Sequence, residues 1–301
     1  HALFRGRGHH FHQALDGRHW TDIYVLCSIL PQGYLGNHLE QAKPQSGFEI
    51  MSSTNQTPIL EARNVSKSFG KFKALQNVST TFMPGSLTAI IGPNGAGKST
   101  FFNVLSGAFP PSSGQILFNG KDITGMQQYE FARIGISKSF QITNVFKQLT
   151  VHENVRVAAQ METARYNFLR NAQSYPGPIE LADQLLRRVN LEHLRNKKTG
   201  DLAHGQQRAL EIAMALACNP SLLLLDEPTA GMSPEETLVM MDLIRTLANE
   251  RTVILVEHKM KLIMGLCKRI IVLHHGEFLA EGTPEEIQNN AEVRRVYLGQ
   301  G

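Results

Sequence analysis

Residues 86–100, SLTAIIGPNGAGKST, constrain the fold more than any other stretch of this chain. A short apolar strand runs into a glycine-rich turn, which opens into FFNVLSG, a helix-compatible run. The spacing is G-x-x-x-x-G-K-[ST], from Gly92 through Pro93, Asn94, Gly95, Ala96 and Gly97 to Lys98 and Ser99, with Thr100 behind. Glycines at 92, 95 and 97 let the backbone curl so that its N–H groups converge on phosphate oxygens, an approach that side chains would obstruct. Lys98 is expected to reach the β- and γ-phosphates of a nucleotide, and the Ser99 hydroxyl to ligate Mg²⁺. Strand, loop, lysine and hydroxyl agree, which a chance glycine turn would not require.

A second apolar stretch, SLLLLDEP at 221–228, ends in adjacent carboxylates, and its leucine run suits a strand buried on both faces of a parallel sheet. Side chains alternate along a strand, so Asp226 and Glu227 need not share a role. Asp226 is expected to address the magnesium shell and Glu227 to act as general base on the attacking water. A pair of N-capping residues before Pro228 is the bland alternative. A third strand, TVILVEH at 252–258, ends in Glu257 and His258. A parallel sheet places its ligand beyond the carboxyl ends of its strands, so His258 is expected to orient the γ-phosphate or the water.

The bulk numbers set limits. A chain of 301 residues with 42% hydrophobic composition can bury one large core or two smaller ones. The formal charge of +4, from 30 basic and 26 acidic residues without a long like-charge block, gives little support to nucleic-acid binding. Cys27, Cys218 and Cys267 are far apart and fit neither a metal site nor a disulfide framework, which suits a reducing compartment. No apolar run approaches the ~18 residues of a membrane span. Residues 1–50 begin with His1 and hold six histidines, including GHHFH at 8–12, without a helical or strand period. They are expected to be a disordered extension outside the native domain, which starts near Met51.

DLAHGQQRAL at 201–210 leads small and polar residues into a helix-like run, as if presenting backbone N–H groups to an anion. That stretch brings no lysine or metal ligand of its own. The phosphate loop, SKSFQ at 137–141, LAHGQ at 202–206, LLLLDE at 222–227 and His258, in this order, resemble the ATPase subunits of ABC transporters over about residues 58–301. The resemblance implies an α/β P-loop NTPase with a mostly parallel core sheet, an antiparallel β subdomain and an inserted helical subdomain across about 142–218. It implies that Gln141 stands near Mg²⁺ and that adenine stacks on Phe69, where many relatives have Tyr. In such ATPases two subunits meet head to tail and close two ATP molecules between them. Leu202, Ala203, His204, Gly205 and Gln206 would then act on the partner's ATP, the helix start after LAHGQ facing its γ-phosphate, and ATP would favour the closed dimer.

The chain departs from that family in two places. The usual signature is L-S-G-G-Q, but Ala203 lacks the serine hydroxyl and His204 replaces a glycine. A hydrogen bond to a charged group is worth about 1.5–3 kcal/mol, so closure is expected to weaken. His204 is either a substitute donor or a rim residue. Ser233 stands where the family usually has an aspartate, which leaves a cross-dimer contact open.

NVFKQLTVHENVRVAAQ and IELADQLLRRVNLEHL read as the helical subdomain, with Leu181, Leu185 and Val189 on one face. A face near Gln141 is expected to receive a cytoplasmic helix of a membrane permease. FQITNVF, GQQRALEIA and the C-terminal segment look like the branched-chain amino acid uptake class, and lipopolysaccharide-export ATPases share the VYLG kind of ending. The expected function is the ATPase subunit of an importer for branched-chain or related amino acids, peripheral on the cytoplasmic face of the inner membrane. Its partners would be a second ATPase subunit, identical or related, permease subunits and, through them, a periplasmic solute-binding protein. Uptake of urea or another amide, lipopolysaccharide export, and a nucleotide-binding scaffold without turnover stay open. A DNA-associated ATPase would need a long heptad-bearing insertion, and a translation-associated one two cassettes in tandem; the chain has neither, so no nucleic-acid partner is expected.

Overall fold

The computed structural model describes residues 57–139, 145–163 and 176–298, which belong to one compact unit beginning at Thr57. The extension 1–50, Met51 and Gln141 lie outside the described residues.

The core sheet assembles from the segments that the sequence marks as apolar. β3 (Leu87–Ile91), β7 (Leu222–Asp226) and β8 (Thr252–Val256) are buried at every position. With β6 (Ile136–Lys138), β9 (Arg269–His274) and β10 (Glu277–Gly282) they form a six-stranded sheet in the order β10-β9-β3-β8-β7-β6. All neighbours are parallel except β10, which returns antiparallel on β9. The four leucines of β7 divide between two layers. Leu222 and Leu224 join a cluster with Ile90, Phe101 and Phe102, whereas Leu223 and Leu225 join one with Ala89, Leu210 and Ile244. Full burial of each such side chain is worth about 1.5–3 kcal/mol, and period-two alternation directs it to both faces at once.

A second, antiparallel sheet, in the order β2-β1-β4-β5, comprises β1 (Leu60–Phe69), β2 (Phe72–Phe82), β4 (Ser113–Phe118) and β5 (Lys121–Asp122). Leu60, Val78, Phe82 and Ile116 cover the first layer, which encloses α1 (Lys98–Leu105). A short helix, α2 (Gln128–Arg133), precedes β6 and buries Phe131 there.

The opposite layer carries α3 (Val151–Thr163), α4 (Pro176–Arg188) and α5 (His204–Leu216). Leu185 and Val189 are buried there and Leu181 packs against the same cluster, so this stripe is core. After β7 comes α6 (Pro234–Ala248), which Ser233 caps, with Pro234 and two glutamates in the first turn and Arg245 in the last. Those charges complement the helix dipole at both ends. The chain closes with α7 (Met260–Leu266), α8 (Pro284–Asn289) and α9 (Ala291–Leu298).

Candidate active site

The strand order explains how one site gathers its chemistry. β3, β8 and β7 are consecutive neighbours; Ile90 pairs in register with Val256, and Val256 with Asp226. Their carboxyl ends therefore set the phosphate loop, His258 and the Asp226–Glu227 pair side by side.

Between β3 and α1 the loop turns through Gly95 and Gly97 at φ 77° and 94°. A Cβ on Gly97 would lie 2.8 Å from the Ala74 carbonyl oxygen, and one on Gly92 2.3 Å from that of Leu273. The loop is thus packed between β2 and β9 as well as bent, and no side chain fits at either place. Pro93 is half-buried, Asn94 and Gly95 are exposed, and Ala96 is buried. Lys98 is buried, and its Nζ donates to the carbonyls of Gly92 and Pro93, both at 2.9 Å. Burial lowers the pKa of this ammonium, while the charges of Glu227 and Asp226 oppose the shift. Ser99 stands exposed in the first helical turn, followed by the half-buried Thr100.

Asp226 is only 3% exposed, and its Oδ1 has no hydrogen-bond partner. A buried, unsatisfied carboxylate oxygen is costly, and a cation is one way to satisfy it. Together with the Ser99 hydroxyl this is a hard-oxygen donor set that fits Mg²⁺. Burial pushes the Asp226 carboxyl above its usual range, offset in part by Lys138. That half-buried lysine also donates to Asn103 Oδ1 at 2.5 Å.

Glu227 takes a positive φ of 44°, uncommon for a side-chain-bearing residue. Its N–H donates to Val256 O at 2.9 Å, and its Oε1 lies 3.7 Å from His258 Nδ1. The histidine ring is half exposed. Base and histidine, expected separately from two strands, thus face each other. The capping alternative for the carboxylates does not hold for α6, whose first turn is capped by Ser233.

The signature lies at the start of α5, against the first turn of α6. The helix begins at His204, inside LAHGQ rather than after it, with Ala203 as its N-cap. Methyl cannot cap, so only half of a capping box forms: the Ala203 N–H donates to Gln206 Oε1 at 3.1 Å. Leu202 is buried and anchors the turn, while Ala203 and His204 are exposed. A Cβ on Gly205 would lie 2.8 Å from Glu236 Oε1. Glu236 itself completes the box on α6, accepting from Ser233 N at 3.0 Å while its own N–H donates to Ser233 Oγ at 3.2 Å. Serine and aspartate cap equally well, so Ser233 keeps the helix start in the family's aspartate position. The His204 ring sits near Gly231, 3.5 Å from where a Cβ there would stand.

Phe69 ends β1 about half exposed, edge-on to Phe109 at 5.7 Å, with Lys67 Nζ 5.3 Å from its ring centre. An exposed ring held from the side leaves area on which a base can stack.

Two supporting residues escape the motifs. Glu257, 2% exposed, bonds the loop after the base. Asn154, fully buried, is the other; its helical spacing beside Val151 and Val155 on the core face was a signal for it.

A family model described as ABC transporter matches residues 75–230, and one described as branched-chain amino acid ATP-binding cassette transporter matches residues 279–301. The chain is 40% identical over 253 residues to the high-affinity branched-chain amino acid transport ATP-binding protein LivG of Escherichia coli (strain K12), spanning 81% of this chain and 98% of the relative. It resembles the crystal structure of the ADP conformation of an ATP-binding cassette of an ABC transporter, with TM-score 0.71 and 30% identity over 81% of this chain and 99% of the other. A dimeric ATP-binding cassette in a post-hydrolysis state, bound to ADP and Pi, matches with TM-score 0.64 and 29% identity over 75% and 98% of the two chains.

Proposed function

Since the chain belongs to the ABC transporter ATPase family, we propose that it hydrolyses ATP to drive uptake of branched-chain or related amino acids through a membrane permease. The observation that carries the ATPase reading is the convergence of the phosphate loop, Asp226–Glu227 and His258 on neighbouring strand ends. The solute class is supported by the match of residues 279–301 and by LivG. Among the described residues no helix is long and apolar enough to cross a membrane, so the permease supplies the pathway. We place the ATP-binding domain at 51–301, with a helical subdomain at about 142–218, peripheral on the cytoplasmic side. A periplasmic solute-binding protein delivers the solute to the permease.

In this reading the N–H groups from Gly92 to Thr100 cradle the phosphates, and Lys98 exchanges its bonds to Gly92 and Pro93 for phosphate oxygens. Adenine stacks on Phe69. Ser99, Asp226 and Gln141 hold Mg²⁺, which when bound offsets the charge of the β- and γ-phosphates. Glu227 takes the proton of the attacking water, and His258 holds the γ-phosphate side of the site. The signature of a second ATPase subunit, identical or related, completes each site, and the related solved dimer supports that arrangement.

The test is reconstitution of the full chain with its permease and binding protein in vesicles. ATP-dependent accumulation of labelled leucine supports the reading. Hydrolysis that responds to urea or lipopolysaccharide and not to leucine would reassign the solute.

A further inference from the structure

Glu227 is held in a sparsely populated backbone region, and such a conformation persists only where its surroundings enforce it. The enforcement comes from Glu257, bonded to the base loop at Thr229 across 28 residues of chain. Thr229, two residues after the base and fully buried, donates to Glu257 Oε1 twice, from its backbone N–H at 3.2 Å and its hydroxyl at 2.5 Å. Its carbonyl accepts from Lys259 Nζ at 3.1 Å. Every polar group of Thr229 is thus bound by the strand end that also carries His258.

The other oxygen of the same carboxylate works in the opposite direction. Glu257 Oε2 accepts the backbone N–H of His258 at 3.2 Å. One buried carboxylate therefore divides its two oxygens between the loop that carries Glu227 and the loop that carries His258. The backbone of Glu227 is tied to the same strand, through its N–H to Val256 O. Glu257 and Thr229 are both buried, 2% and 0% exposed, so they act through the loops that they bond.

We propose that Glu257 is a positioning residue that sets the distance and orientation between Glu227 and His258, with Thr229 and Lys259 as its grip on the base loop. This rests on the reading of Glu227 as general base. A water-activating carboxylate must be placed to within a fraction of an ångström, and displacement of its loop costs rate rather than nucleotide affinity. The amide of Glu257→Gln keeps one acceptor but turns an N–H₂ toward Thr229 or toward the N–H of His258, so the backbone N–H of one of the two loops loses its acceptor.

The experiment uses the full chain and measures kcat and KM for MgATP together with equilibrium binding of a fluorescent ATP analogue. Glu257→Gln and Thr229→Val are expected to lower kcat by about tenfold or more while binding changes by less than about threefold. Thr229→Ser, which keeps the hydroxyl, is expected to recover most of the rate. In a Glu227→Gln background, Glu257→Gln is expected to cost less than about twofold further, because it acts through the missing base. Multiplying effects in that double variant overturn the proposal, as does parallel loss of rate and binding. A chain that hydrolyses ATP and is indifferent to Glu257→Gln overturns the clamp alone. A parent chain that binds ATP without turnover overturns the ATPase reading, and the clamp with it.

Discussion

Asn154 donates to the Thr199 hydroxyl at 2.9 Å, although 45 residues separate the two in the chain. The same carboxamide accepts from Phe146 N at 2.8 Å, and its two N–H groups are shared among the Thr199 hydroxyl and the carbonyls of Phe146 and Thr150. Around it the segment from Lys147 to His152 is bonded by backbone to Arg195–Gly200, as in Val151 N to Lys197 O and Thr199 N to Leu149 O, both 3.0 Å. The stretch that follows Gln141 and the stretch that leads into the signature are therefore one piece. Asn154→Leu leaves the Phe146 and Thr199 groups unpaired inside protein and is expected to destabilise the fold by about 2–4 kcal/mol. Urea unfolding checks this; a loss under about 1 kcal/mol would show that water replaces the carboxamide.

At Gly97 the limit is backbone rather than side chain. Gly97→Ala would push a methyl against the Ala74 carbonyl oxygen at φ 94°. We expect a cost on the order of 1–3 kcal/mol and loss of ATP binding at millimolar nucleotide. Retained affinity by calorimetry would mean that the loop can shift without losing its cradle.

The half-formed cap on α5 predicts a gain. Ala203→Ser supplies the acceptor that the methyl lacks, which is worth about 0.5–2 kcal/mol at an N-cap. A raised thermal midpoint and stronger ATP-driven dimerisation are expected together. A midpoint that does not move would show that the first N–H groups of the helix are satisfied elsewhere.

Glu227→Gln keeps the shape of the base and removes its basicity, so turnover should drop by roughly 10²–10⁴-fold with ATP affinity retained. Light scattering should then detect a dimer that depends on ATP. A variant that still turns over at the parental rate would relocate the base.

Burial pushes the Cys267 thiol up to about 12, with the Glu257 charge adding to the effect, and the Tyr297 phenol, also buried, up to about 12. Both groups ionise more readily when unfolded, so their contribution is complete below the ordinary thiol and phenol values and is lost as pH rises toward 12. Stability should fall between about pH 9 and pH 12. The check is the urea midpoint across that window, with iodoacetamide labelling the half-buried Cys218 before the buried Cys267.

Features encoded in consecutive residues were legible before any fold was known. The phosphate loop announces itself by glycine spacing, and Leu222–Leu225 by an unbroken apolar run that does fill both faces of the sheet. α5 starts a few residues earlier than its sequence suggests, since LAHGQ looks like a leader but its last three residues, His204 to Gln206, are already helical. Thr229 and Glu257 were harder for a different reason: nothing local couples a threonine to a glutamate 28 residues away, and only the β7–β8 pairing brings them together. Lys138 beside Asp226 depends in the same way on the pairing of β6 with β7.

The burial of β7 on both faces has a mechanical consequence. A strand wedged between two packed layers behaves as a rod, because any tilt would open voids on one side and overlaps on the other. Asp226 and Glu227 ride on the end of that rod and share its stiffness.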